Sequence, residues 1–302
     1  MEVVGRLLAL LVVLLLGTGL RSSGILDSGR TAALNAVAYY VALPALIFVS
    51  TYDQPIAGLL SPALLAGLLL VLFGTASIAW VVHRNRDTAA RRSVAVVQSY
   101  HSNIGYLGLP LVAATFDADV TAVASVVLGV VTLMQLPLTI LLLSTINGAD
   151  VSLASEIRGL ATNPVLLSLL VGLAFGSTAV PFPAAAATGL DYLGALALPL
   201  ALLCVGASLE VDLPSIDPGA TGSVVALKIG CMPVLAWVVF SLLEVDPATF
   251  TASVVMLGTP TAVSTFVFAT ELGGDAEFAS LNVFTTTLAS IATLFVLIAL
   301  LG

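Results

Sequence analysis

The stretch HSNIGYLGLPL, residues 101–111, interrupts an apolar run that begins with Val94–Val97 and resumes with Val112–Ala114. A helix facing lipid gains nothing from His101, Ser102 and Asn103, and Gly105, Gly108 and Pro110 each weaken it. Pro110 has no N–H, and its ring displaces the carbonyl four residues earlier, that of Tyr106. In hydrocarbon every freed backbone group is expensive, so such a stretch survives only inside protein or beside water. The expectation is therefore a broken helix, with polar groups held at one depth for a purpose.

The composition agrees with a bilayer as the solvent. The chain has 302 residues, 59% of them hydrophobic and only 9% charged, which is the signature of an integral membrane protein. The net charge of −8, with a single lysine at Lys228, excludes a basic surface for nucleic acid. Cys204 and Cys231 lie within apolar runs and read as small packing residues. The only histidines are His83 and His101. No spacing suits a metal, and no cofactor is expected.

Ten apolar runs approach the roughly 20 helical residues that a hydrocarbon core needs: 3–20, 31–52, 58–82, 93–115, 120–145, 164–180, 187–209, 221–243, 250–272 and 279–301. The first resembles a signal peptide in its Arg6 and apolar centre, but it lacks a clear small-residue cleavage site and is expected to be retained. Arg21 and Arg30, then Arg84, Arg86, Arg91 and Arg92, then Arg158 fall in loops on one side. Positive charge marks the cytoplasmic side, so both termini are expected outside, in a multi-pass protein of the cell membrane.

The longest polar stretch, INGADVSLASEIRGLATN at 146–163, divides the runs five and five. Pro44 in VALPALIF has a counterpart in Pro199 of LALPLALL, and Pro110 has one in Pro260 of MLGTPTAV. Landmarks that recur at nearly one offset point to an internal duplication. Five spans is an odd number, so the second copy must be inverted, as in many secondary transporters. The expected fold is all-α: ten transmembrane helices as two inverted five-helix repeats, 1–145 and 164–302, joined by a cytoplasmic linker at 146–163, with helices 4 and 9 broken and crossing. A proline kink in one span alone would mean little. Two breaks at equivalent positions present half-helix ends to a ligand, and the N-terminal ends favour an anion.

These residues resemble the auxin efflux carrier family, which includes the plant PIN-type auxin transporters and bacterial malate permeases. NIGYLGLPL is similar to the family's Asn-containing broken helix, with Asn103 seven residues before Pro110, and TPTAVSTFVFATEL is similar to its second broken helix. LNAVAYYVALPALIF, LPLALLCVGASL and ALKIGCMPVL, with Lys228 and Pro233, resemble spans 2, 7 and 8. The resemblance implies a crossover at Pro110 and Pro260, a rigid scaffold, and carriage of small carboxylates by an elevator-like movement. The linker is short here, so the regulation of a long cytoplasmic loop is not carried over. The expected substrate-binding residues are Ser102, Asn103, Gly105, Gly108 and Pro110 from one break and Gly258, Thr259, Pro260, Thr261 and Ser264 from the other.

Lys228 lies about 10 Å inside its span at 1.5 Å per residue. It either snorkels to the interface or places a fixed or titrating positive charge beside the anion path. His101 reads first as a hydrogen-bonded packing residue, and as a proton relay only second. Asp191 and Glu210 read as interfacial charges. No acid sits clearly at mid-membrane, which argues against a cation/proton antiporter.

The expected function is a secondary carrier of small organic anions, such as auxin-like or other carboxylates. No P-loop is present to use ATP directly. A sodium-coupled symporter of the bile-acid type is the alternative. An intramembrane enzyme ranks below both, because no nucleophile–base pair or HExxH motif appears, and no catalytic residue is assigned. The expected partners are a small carboxylate and the lipid bilayer, with a homodimer left open.

Overall fold

The computed structural model describes residues 2–85, 88–178, 180–208 and 218–302. Arg86 and Glu210 lie outside the described residues. Helices cover each of the ten apolar runs, and no strand ladder forms among the described residues; Ser102 and Thr261 make one isolated antiparallel bridge.

The chain runs through α1 (Glu2–Ser22), α2 (Ser28–Val37), α3 (Leu43–Thr51), α4 (Ile56–Leu59), α5 (Pro62–His83), α6 (Ala89–Gln98), α7 (Leu109–Thr115), α8 (Ala118–Asn147), α9 (Leu153–Ala161) and α10 (Pro164–Gly176). It continues through α11 (Ala184–Ala195), α12 (Ala197–Ser208), α13 (Pro218–Val225), α14 (Met232–Leu242), α15 (Pro247–Leu257), α16 (Ser264–Glu271) and α17 (Ala276–Leu301). Six helical stretches among the described residues are each long and apolar enough to cross a membrane: 28–51, 62–83, 118–147, 184–207, 219–242 and 276–301. A seventh forms if α9 and α10, bent by 49°, count as one. The 146–163 linker is thus not a bare loop, since α9 occupies half of it. Leu70, Leu141, Leu170, Val234 and Leu242 are strongly exposed on these helices. Apolar side chains in such numbers face lipid rather than water.

Helix boundaries follow local chemistry. Ser61, Thr88, Asp117, Asn163, Asp246 and Asp275 each accept a backbone N–H of the following first turn, as N-caps do. At the end of α8 the chain turns at Gly148, with φ 71°, a left-handed cap that glycine adopts without strain.

Three wide π-turns interrupt the helices, at Ala38–Ala42, Ile104–Gly108 and Ala226–Cys231. Each is followed two residues later by a proline: Pro44, Pro110 and Pro233. The cause is common to all three. A proline displaces the carbonyl four residues before it, and a π-turn takes up the surplus by bonding one residue further back. The Gly108 N–H accordingly reaches the Asn103 carbonyl at 3.0 Å.

The helices pack in two groups. In the first, α1 packs on α12, and α3 on α10 and α11. In the second, α8 packs on α6 and α15, α14 on α5 and α15, and α17 on α13 and α16. The groups meet where α3 and α10 touch α8, and where α12 touches α7.

Candidate functional site

The crossover is built from backbone. The Asn103 N–H donates to the Pro260 carbonyl at 2.8 Å, and the Ala262 N–H donates to the His101 carbonyl at 3.1 Å. Two short non-helical segments, 101–103 and 260–262, thus meet antiparallel across the breaks. The pairing supplies partners for groups that neither helix can satisfy, which is the condition for irregular backbone inside apolar surroundings.

Side-chain amides extend the pairing. Gln135 of α8 accepts the Ser102 N–H at 3.1 Å and donates to the Ser102 carbonyl at 3.2 Å, so it acts as a third strand one residue wide. Gln98, at the end of α6, donates to Thr265 Oγ1 at 2.9 Å and to the Ala279 carbonyl at 3.0 Å. Its own Oε1 accepts from Asn282 Nδ2 at 2.9 Å. The Thr261 hydroxyl donates to the Gln98 carbonyl at 2.6 Å. These amides tie both breaks to α8 and α17.

Lys228 does not snorkel. It is fully buried in the third π-turn, and its Nζ donates to Ser102 Oγ at 2.8 Å, the Leu257 carbonyl at 3.0 Å and Met232 Sδ at 3.2 Å. Leu257 is the last residue of α15, so the ammonium sits against the negative end of a helix dipole. All of these acceptors are neutral. His101 is also buried, with Nδ1 2.7 Å from Thr139 Oγ1. It also lines the cavity described below.

Where the two helix groups meet, a cavity of about 290 Å³ opens over the crossover. His101, Ser102, Asn103, Gly105 and Ser264 line it, and α8 contributes Thr132 and Gln135. Asn103 is only 3% exposed, yet its amide makes no cap bond to the turn it precedes and no hydrogen bond within the described protein. A buried amide without a protein partner is a group awaiting one. The first turns that begin at Ile104 and at Ser264 both start at this cavity.

Six of the expected site residues lie elsewhere. Gly108, Pro110, Gly258, Thr259, Pro260 and Thr261 do not line the cavity. The non-helical break lies at 101–103, not at Pro110, because the π-turn at 104–108 absorbs the missing donor and Pro110 opens α7. Gly108 instead allows close packing, since a Cβ there would come within 2.9 Å of Met256 Sδ. Thr259 caps α15 by donating to the Met256 carbonyl at 2.8 Å. Pro260 and Thr261 hold the crossover together. The residues missed by the sequence reading are Gln98, Gln135, Tyr39 and Asn163. A polar amide inside an apolar run was the available signal for the two glutamines, and Asn-Pro at a helix start was the signal for Asn163.

The family described as "Membrane transport protein" matches residues 2–298. An "Uncharacterized transporter" of Methanothermobacter thermautotrophicus is 28% identical over 291 residues, covering 95% of this chain and 94% of the relative. A "Putative malonate transporter" of Rhizobium meliloti is 26% identical over 271 residues, covering 86% and 83%. A multi-span apolar helical protein, broken at a polar crossover and matched along nearly its whole length, belongs to the membrane transport protein family of auxin efflux carriers.

Proposed function

We propose that this chain is a secondary carrier of small organic anions, with short carboxylates as its substrates. The observation that carries the reading is the Asn103 amide, which lines the cavity without a hydrogen-bond partner among the described residues, where two helix N-termini begin. N–H donors and the positive ends of two dipoles suit a carboxylate. Lys228 Nζ lies 2.8 Å from Ser102 Oγ and brings a basic nitrogen to the same spot. The relative named for malonate supports a short carboxylate.

The reading includes ten spans in two inverted repeats, 1–145 and 164–302, with both termini outside. The antiparallel pairing of 101–103 with 260–262 supports inversion, because only opposed segments meet that way. It also includes an elevator movement, in which the group holding α5–α8 and α13–α17 carries the crossover past the group holding α1–α3 and α10–α12. Two self-packed helix groups with the cavity at their junction support it.

Thermal unfolding of the detergent-purified protein against a panel of carboxylates tests the function. A ligand at a hundred times its Kd stabilises by about 2.7 kcal/mol, which shifts the transition clearly. Asn103→Ala should abolish the shift without lowering the unliganded transition. If no carboxylate shifts the wild type, the reading is wrong.

A further inference from the structure

Lys228 Nζ has a full set of hydrogen bonds and no counter-ion. An ammonium has three N–H groups, and Ser102 Oγ at 2.8 Å, the Leu257 carbonyl at 3.0 Å and Met232 Sδ at 3.2 Å accept them. All three acceptors are neutral, and no carboxylate pairs with Lys228 among the described residues. Loss of one proton would free only the thioether, the weakest acceptor of the three. The site thus accommodates the amine with or without its extra proton. What decides between the two forms is the cost of a lone charge in apolar surroundings, which is high unless an opposite charge lies beside it.

Few other ionisable groups surround this one. The third π-turn, which itself carries Cys231, packs against α5, α13, α14 and α17. Among the described residues of those helices the ionisable ones are His83, whose Nε2 lies 3.2 Å from Ser99 Oγ, and Glu277 in the first turn of α17. Neither is bonded to Lys228. On the crossover side, Tyr100 and His101 are buried and both bond Thr139 Oγ1, at 3.0 and 2.7 Å. His101 is close enough for a charge on it to act on Lys228, and two positive charges there would repel.

Ser102 is the only one of the three acceptors that lines the cavity. Its hydroxyl both accepts and donates, so a proton can pass between the cavity and Nζ through one side chain. Lys228 also sits in the helix group that holds the crossover, so it moves wherever the bound anion moves. An anion alone in the cavity, or an ammonium alone behind it, would leave that group with an unpaired charge inside the membrane. The two together would not.

We infer that Lys228 makes this carrier a proton symporter, in which the amine takes one proton from the side where the anion enters, holds it as an ammonium beside the bound anion, and returns it to water on the other side when the anion leaves. The inference rests on the anion-carrier reading and adds the proton as a second substrate. One proton crosses with each anion, and nothing is oxidised or reduced.

Lys228 is the only lysine, so lysine isotope-labelled at Cε gives one NMR signal, whose shift differs between amine and ammonium. Malonate is added to the purified full chain at a pH where the free protein shows the amine signal. It should convert that signal to the ammonium one. Binding should also take up one proton, read by titration calorimetry in buffers of different ionisation enthalpy. His101→Gln should keep that uptake. Lys228→Arg stays charged at every working pH, so it should bind malonate without taking up a proton. Lys228→Gln should bind about tenfold more weakly, also without uptake. In proteoliposomes a pH gradient should drive malonate accumulation by the wild type and by neither Lys228 variant. A Cε signal unchanged by saturating malonate overturns the inference in the wild type itself, whether or not a variant folds, and leaves the carrier reading standing. Proton uptake that survives in Lys228→Arg, or disappears in His101→Gln, does the same. The same readings are taken with acetate. If neither acid binds, the inference falls. If no other carboxylate binds either, the carrier reading falls with it.

Discussion

Lys228 Nζ donates to Ser102 Oγ at 2.8 Å, although the two residues are 126 positions apart in the chain. Through that bond the only lysine of the protein touches the residue that forms the crossover bridge. The Lys228 amine is fully buried and, among the described residues, donates to a hydroxyl, a carbonyl and a thioether. Its desolvation is incompletely offset by neutral partners, and an anion arriving above Ser102 would complete the compensation.

Removing that charge should therefore uncouple stability from affinity. Lys228→Gln is expected to unfold at or above the wild-type temperature when unliganded, because an uncompensated buried charge is gone. Its affinity for malonate should fall about tenfold, or ~1.4 kcal/mol. Lys228→Arg should lose less. Paired thermal-shift and titration measurements read both quantities. A Gln variant that is less stable but binds normally would make Lys228 a packing residue only.

The Ser102 backbone supplies a second test. Gln135→Leu leaves the Ser102 N–H and carbonyl without the amide that engages both. Each buried group left unpaired costs about 1–3 kcal/mol. The variant should unfold well below the wild type and transport poorly. Gln135→Glu, which can still accept the N–H, should fall between the two. A Leu variant as stable as the wild type would show that water replaces the amide.

Parts of this site could be read from residue order alone and parts could not. A cluster of glycines, a proline and small polar groups inside an apolar run marked both breaks, because apolar surroundings punish unpaired backbone wherever it occurs. Lys228 was visible as a charge within a span, but its direction was not: a four-carbon stem reaches the interface or the interior equally well. The break was expected at Pro110, yet it lies at 101–103, because a π-turn moves the disturbance toward the N-terminus of the proline. Local sequence does not say which carbonyl takes up the strain. Gln98 and Gln135 were missed because their importance lies in pairing with segments more than 30 residues away.

The packing of α1 on α12 is close enough to test by volume. Thr18 Oγ1 donates to the Gly206 carbonyl at 2.9 Å, and a Cβ on Gly206 would run into the Leu14 carbonyl. Gly17 faces the Leu203 carbonyl in the same way. Small residues let membrane helices approach this closely. Gly206→Val should separate α1 from α12 and sharply reduce the yield of folded protein in detergent, measured by size-exclusion chromatography. Gly189→Val, on a helix with open space around the glycine, is the control and should fold normally. Equal yields would mean that α1 is not needed to hold α12.

The arrangement of the spans underlies every site assignment, and two exposed positions can test it. Arginines crowd the connection between α5 and α6, so that connection is expected in the cytoplasm. Inversion then requires the connection between α14 and α15 to be external, although each connection would join the third and fourth spans of its proposed repeat. Asn85 and Pro247 are exposed at these two connections, and Pro247 is preferable to Asp246, whose carboxylate caps α15 at Thr249 N. With Cys204 and Cys231 replaced by alanine, Asn85→Cys and Pro247→Cys are introduced singly, and intact cells are treated with a membrane-impermeant thiol reagent. Pro247→Cys should react from outside, and Asn85→Cys only after lysis. Labelling of both from the same side would mean a tandem rather than an inverted duplication. The helices beginning at 104 and 264 would then enter the membrane in the same direction, and their first turns could not oppose each other across the crossover. An anion held between Asn103 and Ser264 would have no structural basis.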